Sequence, residues 1–152
     1  MTIEIKVLGP HDAGALHQVA PEVFDDPIDV RRAEEFLADP RHHLTVAVED
    51  GWVVGFVSAV HYVHPDKPHP ELWINEVSVA ATHRRRGLGT RLLHTMFEMA
   101  RGLGCTEAWV LTDRANTPAM RLYSAAGSTE APTDHMMFTF RLTDPVQEES
   151  KP

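Results

Sequence analysis

A segment rich in arginine and glycine is the part of the chain best suited to bind an anion. It runs Arg84, Arg85, Arg86, Gly87, Leu88, Gly89 and Thr90, after a β-rich stretch and at the start of an amphipathic helical pattern. The first N–H groups of a helix have no intrahelical acceptor, and the helix dipole makes that end partly positive. Glycines let the backbone approach an anion closely, and arginines add charge-assisted hydrogen bonds. The segment therefore predicts a diphosphate site, with a solvated basic turn as the alternative.

A second set of spaced residues lies in a predicted helix further along the chain. It consists of Asn116, Ala119, Leu122, Tyr123 and Gly127. Positions three and four apart share one side of a helix, so a small side chain and a phenol face the same neighbour. Taken alone, this tyrosine is better explained as an amphipathic residue at the edge of the core.

The hydrophobic pattern predicts the strands and helices that must position these residues. Alternation indicates strands, and apolar residues three or four apart indicate helices. Asp29 and Asn116 are predicted N-caps, and the Asp-Gly pair at 50 and 51 predicts a hairpin turn. The predicted elements are a strand at 3–7, a helical pattern at 11–24 interrupted by Pro21, a helix at 29–37, strands at 44–48 and 52–60, a loop at 63–70, a strand at 72–79, a helix at 89–103, a buried strand at 108–111, a helix at 116–127 and a final strand at 136–142.

This order of elements predicts an α/β fold with a mixed, mostly antiparallel sheet and helices on both faces. The strand at 72–79, the helix at 89–103 and the strand at 108–111 should form a central parallel crossover of right-handed sense. A chain of 152 residues is long enough for one domain with a proper core. We therefore expect a single domain at 1–142 and a polar tail at 143–152.

The charge balance restricts the class of partner. The net charge is −8, from 14 basic and 22 acidic residues. Four of the basic residues, Arg84, Arg85, Arg86 and Arg91, lie in or beside the predicted diphosphate segment, which leaves the rest of the chain with a balance of −12. Such a field repels nucleic acid and attracts cations. We therefore expect a cationic partner and no nucleic acid.

Other sequence features argue against a membrane span, secretion and a disulfide. No apolar run approaches the roughly 20 residues of a membrane helix, and the N-terminal stretch is a strand pattern rather than a signal peptide. Cys105 is the only cysteine, so no intrachain disulfide can form. The ten histidines show no metal-ligand spacing. We expect a cytoplasmic protein without a bound metal.

Together the two residue sets resemble the landmarks of the GNAT N-acetyltransferase superfamily. Arg84, Gly87 and Gly89 stand in the Arg-x-x-Gly-x-Gly pattern of its acetyl-CoA pyrophosphate loop. The set at 116–127 is similar to its Asn-x-x-Ala-x-x-Leu-Tyr-x-x-x-Gly segment, with Ser128 in place of the aromatic residue that usually follows the glycine. The resemblance implies the GNAT fold and acetyl-CoA as the co-substrate.

The resemblance also implies roles for individual residues. It implies that the strand at 72–79 lies beside a widening of the sheet, where its backbone binds the pantetheine and the acetyl carbonyl. It implies further that Tyr123 is the general acid that protonates the leaving thiolate. The residues implied to bind the cofactor are Val77, Ser78, Val79, Arg84, Arg85, Arg86, Gly87, Leu88, Gly89, Thr90, Asn116, Ala119 and Tyr123.

Glu76, midway along the strand at 72–79, is the predicted general base. An alkyl ammonium has a pKa of ~10.4. An amine substrate must therefore lose a proton before it attacks a thioester, either to a carboxylate directly or through water. The alternative is a strand glutamate that only faces solvent. The apolar neighbours Trp73, Val77 and Val79 favour the catalytic role.

Within the superfamily, the chain is most similar to the aminoglycoside 3-N-acetyltransferases, over most of residues 44–142. The similarity rests on segments 74–79, 83–87, 117–123 and 135–138. Two positions differ from that subfamily: Glu76 stands where the subfamily has aspartate, and Asn116 stands where the subfamily often has aspartate. It implies acetylation of the 3-amino group of an aminoglycoside, and hence antibiotic resistance. The predicted acceptor-binding carboxylates are Glu22, Asp25, Asp26, Glu76, Glu130 and Asp134.

Two other functions stay open at this stage. The acceptor could be another amine, such as a polyamine, a small metabolite or a protein N-terminus, or the chain could be a CoA-binding sensor without catalysis. The presence of both Glu76 and Tyr123 argues against the sensor, and acidic loops favour a small cationic acceptor over a peptide. The assembly is left open, with a homodimer as one expectation.

Overall fold

A computed structural model of the protein describes residues 2–130 and 134–144. Five strands, three α-helices and two short 3-10 helices form within these residues. The 3-10 helices are Ala13–Leu16 and Ala81–His83. The strands and α-helices, in chain order, are β1 (Glu4–Leu8), α1 (Val30–Ala38), β2 (His42–Glu49), β3 (Trp52–Tyr62), β4 (Glu71–Val79), α2 (Leu88–Gly102), β5 (Glu107–Val110) and α3 (Thr117–Ala125).

The strands form one sheet in the order β1-β2-β3-β4-β5. The first three pairs are antiparallel, and β4 pairs with β5 in parallel, so the sheet is mixed as predicted. The β2–β3 turn has positive φ at both Asp50 and Gly51, which is the type I′ geometry that matches the strand twist. The parallel pair requires a crossover connection, and α2 supplies it.

Helices lie on both faces of the sheet. On β2, the ring of His42 stacks on Phe36 of α1 with the ring centres 4.9 Å apart. The hydroxyl of Thr45 instead donates to the Leu92 carbonyl of α2, at 3.4 Å. Side chains at an odd separation along a strand point to opposite faces. Thus α1 covers one face and α2 the other, and Leu92, with its neighbours in α2, is fully buried in the core.

The predicted helical pattern at 11–24 was wrong except for the 3-10 helix at its start. The Val53 N–H donates to the Gln18 carbonyl at 2.8 Å, and the Ala20 N–H donates to the Val53 carbonyl at 2.9 Å. These backbone groups are therefore taken by β3, and Pro21, which has no N–H, follows directly. Glu22 then adopts a φ of 65°, which is incompatible with continuing a helix.

The C-terminal part differs most from the sequence expectation. β5 was predicted to be buried, but among the described strands it lies at the edge of the sheet, and its residues are largely exposed. The predicted final strand at 136–142 is not a strand in the described structure, because no described strand pairs with it. Of the predicted tail at 143–152, residues 145–152 lie outside the described residues. Within the described part, no helix is both long enough and apolar enough to cross a membrane.

Candidate active site

The predicted diphosphate segment forms a loop that leads directly into α2. Gly87 is the N-cap, with a φ of 73° and no side-chain hydrogen bond that caps the helix. The backbone hydrogen bond from Arg91 to the Gly87 carbonyl, at 3.1 Å, closes the first helical turn. In this geometry the N–H groups of Leu88, Gly89 and Thr90 precede the first intrahelical bond and point out of the helix end. This end of α2 has the geometry and partial charge of an anion site.

Side chains attach this loop to the sheet. His83 Nε2 lies 3.1 Å from Glu49 Oε1 at the end of β2, and both side chains are mostly buried. Arg84 Nε donates to the Val79 carbonyl at the end of β4, at 3.2 Å. Arg85 and Arg86 are exposed. The loop is therefore held at the end of β4 while two guanidinium groups extend into solvent.

The two glycines of the loop are needed for different physical reasons. Gly87 needs its positive φ for the turn, and a Cβ there would meet nothing within 4 Å. Gly89 is buried, and a Cβ there would lie 2.8 Å from Leu122 Cδ1. Gly89 thus allows α3 to pack on the start of α2, a role that the sequence analysis did not assign to it.

The sheet opens beside β4, next to this helix end. β4 and β5 pair from Glu71 opposite Glu107 up to Ile74 opposite Val110, and β4 continues to Val79 without β5 beside it. The register with β3 shifts at this point, because Ala59 pairs with Ile74 but Ser58 pairs with Glu76. Such a bulge bends the strand and locally ends pairing. The described strands therefore leave one side of Val77, Ser78 and Val79 unpaired, as a widening beside this strand requires.

Helix α3 supplies the second predicted set. The Asn116 side-chain oxygen accepts a hydrogen bond from the Ala119 N–H at 3.2 Å, so this residue caps the helix. Tyr123 is half-buried and packs against the core, and burial raises the pKa of its phenol. A raised pKa keeps the phenol protonated at neutral pH, which is the state that a proton donor needs.

Glu76 lies on the α1 face of the sheet with an exposed side chain. Its pairing partner Ser58 is on the same face as Tyr62, because the two residues are separated by an even number of positions along β3. Trp73 and Glu71 are the partners of Val60 and Tyr62 and share this face too. The face between β3, β4 and β5 therefore carries carboxylates and aromatic rings together.

A hydrogen-bonded group on this face was missed by the sequence analysis. Tyr62 donates to Glu71 Oε2 at 2.8 Å and accepts from Trp109 Nε1 at 2.7 Å, while His64 Nε2 lies 3.3 Å from the same Glu71 oxygen. The Trp109 ring stacks on Trp73 with the ring centres 5.1 Å apart. The hydrogen bond from Tyr62, then that from His64, lowers the pKa of Glu71. An ionised carboxylate thus lies beside two partly exposed indoles.

Three of the predicted acceptor carboxylates lie in a loop that contacts this face. The loop before α1 is attached to it, because the Phe24 ring stacks on Phe56 at 4.0 Å and Phe56 is opposite Ser78 on this face. Asp25 and Asp26 in that loop are exposed, as is Glu22. Further candidates lie elsewhere in the chain: Glu130 forms an ion pair with Arg114 at 2.7 Å, and Asp134 is exposed at the start of the C-terminal segment.

Two of the histidines form a close pair. His43 Nε2 lies 2.7 Å from His61 Nδ1 on the α2 face, and burial, with the neighbouring His61, lowers the pKa of His43 to about 4. Residues 2–130 and 134–144 contain no group of three or more His, Cys, Asp or Glu side chains arranged to hold a metal ion.

Comparison with known sequences decides the family. Residues 13–127 match the Acetyltransferase (GNAT) family. The chain belongs to this family. It is 34% identical over 113 residues to the aminoglycoside N(6′)-acetyltransferase type 1 of Serratia marcescens, an alignment that covers 70% of this chain and 76% of the relative. It is also 28% identical over 102 residues to N-acetyltransferase 8 of Rattus norvegicus, covering 67% of this chain but only 45% of that longer relative.

Solved structures confirm the fold of this GNAT acetyltransferase. An aminoglycoside acetyltransferase from an uncultured soil sample superposes with a TM-score of 0.78 at 24% identity, over 94% of this chain and all of the other. Members of the GNAT family use acetyl-CoA, and a structural neighbour was solved in complex with CoA. The co-substrate is therefore acetyl-CoA, as predicted.

The predicted family is confirmed, but the predicted subtype is not supported. The resemblance to the 3-N-acetyltransferases is not supported, since the aminoglycoside relative named above is of the 6′ type. The segments that suggested the 3-N type contain the loop at 83–87 and the helix at 117–123, which carry the cofactor pattern of the whole GNAT family. Such segments indicate the co-substrate and contain little information about the acceptor.

Proposed function

We propose that this GNAT acetyltransferase transfers the acetyl group of acetyl-CoA to a primary amine of an aminoglycoside. The observation that carries the proposal is the α1 face of the sheet, where Glu76 shares a surface with Glu71 and two stacked indoles. Carboxylates bind ammonium groups, and indole faces bind both cations and the apolar faces of sugar rings. The acidic loop at 22–26 adds charge at the same face.

In this proposal the cofactor lies along the widening of the sheet. Its diphosphate binds the N–H groups of Leu88, Gly89 and Thr90 at the start of α2, with Arg84, Arg85, Arg86 and the Gly87 turn around it. Its pantetheine follows the unpaired side of Val77, Ser78 and Val79, with Asn116 and Ala119 across from that strand on α3. The charge, the free donors and the open strand side all support this path.

Two side chains move the protons. Acetyl-CoA supplies an activated acyl thioester, and Glu76 takes a proton from the acceptor ammonium, directly or through water, so that the amine lone pair can attack. The carbon–sulfur bond breaks as the amide forms, and Tyr123 donates its phenolic proton to the departing sulfur. The second proton that the nitrogen loses passes, directly or through water, to the resulting tyrosinate, and the proton on Glu76 is released to solvent. Burial keeps that phenol protonated at neutral pH. The products are an N-acetylated amine, which has lost its charge, and CoA with a free thiol.

The position of the acetylated amine is proposed from the aminoglycoside relative. We propose the 6′-amino group as the site, in place of the 3-amino group that the sequence alone suggested, because the Serratia marcescens relative is of the 6′ type. An aminoglycoside acetylated there loses a charged contact, so the enzyme would confer resistance on a susceptible bacterium.

The test is thiol release from acetyl-CoA with a panel of aminoglycosides, polyamines, diamino acids and peptides as acceptors. We expect turnover with aminoglycosides that bear a 6′-amino group, and the product position is read by NMR. Glu76→Gln is the matched control for background hydrolysis. Turnover of a polyamine or a peptide, with none for any aminoglycoside, would refute the acceptor while the GNAT assignment stands.

A further inference from the structure

A polar contact joins the end of β2 to the loop at 84–90 (the diphosphate loop), and it is mostly buried. His83 Nε2 lies 3.1 Å from Glu49 Oε1, and the two side chains are 13% and 17% exposed. His83 Nδ1 lies 2.8 Å from the Thr82 hydroxyl. A ring with its proton on Nε2 therefore donates to the carboxylate and accepts from the hydroxyl, so that both ring nitrogens have a partner. These two contacts fix the orientation of the ring.

The charge of Glu49 is unfavourable for the ligand that the loop is suited to bind. A carboxylate that leaves water loses its hydration, which a hydrogen-bonded partner has to offset. It also brings a negative charge close to a helix end that binds an anion. By Coulomb's law alone, a carboxylate at this position opposes the binding of a diphosphate. If Glu49 favours cofactor binding, it must therefore do so through geometry.

The backbone of the diphosphate loop is held in an unfavourable conformation. Arg85 has a φ of 65°, in the left-handed region that residues with a Cβ rarely adopt. Gly87, two residues later, has a φ of 73°, which a glycine adopts readily. Strained backbone persists only where the surrounding contacts hold it, and it is concentrated at ligand sites. The strained arginine therefore needs a fixed point on either side of it.

The structure supplies both fixed points. After the strained residue, the chain is fixed by α2, since Leu88 at its first position is buried in the core. Before it, the chain is fixed by the contact between His83 and Glu49. Arg84 also contacts the sheet, at the Val79 carbonyl, but the proposed path places both of these residues at the cofactor. The histidine contact is thus a side-chain anchor that lies off this path.

We propose that Glu49 is a positioning residue for acetyl-CoA. It holds His83, and through it the diphosphate loop, in the conformation in which the N–H groups at the start of α2 face the diphosphate. In this role Glu49 acts through the histidine and does not itself contact the cofactor. A loop that is ordered on folding does not have to be ordered again on binding, which raises affinity. The proposal rests on the proposed path of the cofactor and does not depend on the acceptor.

Calorimetry with CoA tests the sign of the effect. Glu49→Ala removes a negative charge near an anion site, so electrostatics alone would strengthen CoA binding. Loss of the anchor should instead raise the Kd for CoA by roughly 5–20-fold, within the range of couplings between contacting side chains. Glu49→Gln keeps an oxygen that accepts from the ring and should retain at least the wild-type affinity. Unchanged or tighter binding by Glu49→Ala would overturn the proposal.

Two further measurements accompany this comparison. Asp50→Asn neutralises the next carboxylate along the chain, which is exposed, and as the matched control it should leave the Kd for CoA nearly unchanged. Steady-state kinetics, with an acceptor that gives turnover, should show a raised KM for acetyl-CoA in Glu49→Ala and an unchanged kcat. The kcat is expected to stay because the anchor orders the loop and takes no part in the chemical step.

Double variants separate positioning from a general loss of stability. His83→Ala should raise the Kd as much as Glu49→Ala, and the two together should be no worse than either alone, because the same contact is removed once. Arg85→Gly removes the strain that the anchor holds, so Glu49→Ala should cost several-fold less CoA affinity in that background. Binding is measured well below the lowest Tm of the set. Additive losses for Glu49 and His83, or an equal loss in the Arg85→Gly background, would contradict the positioning role.

Arg86→Gln separates this inference from the proposed path of the cofactor. Its guanidinium is exposed in the diphosphate loop, so its loss should weaken CoA binding if the diphosphate binds there, whatever the role of Glu49. Weakened binding in Arg86→Gln, with wild-type binding in Glu49→Ala, would refute the positioning role and leave the path standing. Wild-type CoA affinity in both variants would refute the path, and the positioning role with it.

Discussion

Gly89 and Leu122 are in direct contact where α2 and α3 meet, and a Cβ on the glycine would lie 2.8 Å from Leu122 Cδ1. We therefore expect Gly89→Ala to lower the free energy of unfolding by about 1–3 kcal/mol, the usual cost of overpacking. Denaturant unfolding measures this change. In a Leu122→Ala background the same substitution should be neutral or stabilising, because the obstructing methyl groups are gone and alanine favours helix.

The same pair of variants separates packing from cofactor binding. Calorimetry with CoA should show weakened binding for Gly89→Ala in the wild-type background and recovery when Leu122 is also alanine. If CoA affinity stays low in the double variant, Gly89 is needed for close approach of the diphosphate itself, as the sequence alone suggested.

Glu76→Gln should lower the turnover number by roughly 10²-fold or more, which is the typical value of a positioned general base. The side chain is exposed on the strand, so stability and CoA affinity should change little. Steady-state thiol release measures the effect, and Glu34→Gln, an exposed glutamate on α1, is the matched control. Raising the pH should partly restore turnover, because a larger fraction of the acceptor amine is then already deprotonated. Near-normal turnover at neutral pH would assign the base to another group or to water.

Tyr123→Phe tests the proposed general acid. The phenylalanine keeps the ring that packs against the core and removes only the hydroxyl, so folding should be preserved. We expect turnover to fall by roughly 10–10²-fold with an unchanged dissociation constant for CoA, since loss of a positioned proton donor affects the chemical step. A variant that loses CoA affinity instead would indicate that the hydroxyl binds the cofactor.

Local sequence signals predicted most of the fold. Asp29 correctly predicted the start of α1, and the Asp-Gly pair correctly predicted the β2–β3 turn, because these signals act over a few residues. The pairing of Val19 with Val53 was not predictable, because the hydrogen-bonding groups come from segments far apart in sequence. The family pattern likewise identified the loop before α2 without indicating that Gly89 contacts Leu122.

The proposed acceptor surface, on the α1 face of β3, β4 and β5, was not predicted for the same reason. Tyr62, Glu71 and Trp109 meet only because β3, β4 and β5 pair in one particular register. None of the three residues is unusual in its own segment. The alternation of Glu71 with Trp73 is visible in the sequence. The residues that these two side chains contact, however, depend on which strand pairs with β4.

His43 provides a pH-dependent contribution to stability. Its pKa falls from 6.5 to about 4, mainly through burial. Between these values the unfolded chain binds a proton that the folded chain does not, so stability rises with pH across this range and falls on acidification. Thermal unfolding of wild type and His43→Gln between pH 4 and 7 measures the difference. The variant should lose this part of the slope, whereas His69→Gln, an exposed histidine, should retain it.

Glu71 is expected to determine the affinity for the acceptor. Its carboxylate accepts from Tyr62, and its lowered pKa keeps it charged, beside the stacked Trp73 and Trp109 rings. Glu71→Gln should raise the KM for an aminoglycoside several-fold and leave the KM for acetyl-CoA nearly unchanged. Asp25→Asn and Asp26→Asn should act in the same direction, because their loop is attached to this face through Phe24.

Salt dependence provides the decisive control for this electrostatic recognition. Screening acts over ~8 Å at ~0.15 M salt, so the acceptor KM of the wild type should rise with ionic strength. The rise should be shallower in Glu71→Gln, since one attractive charge has been removed, whereas Glu98→Gln, an exposed carboxylate on α2 at the other face of the sheet, should keep the wild-type slope. Parallel slopes for all three proteins would mean that the acceptor binds away from the Glu71 face, and the proposed acceptor surface would have to be abandoned.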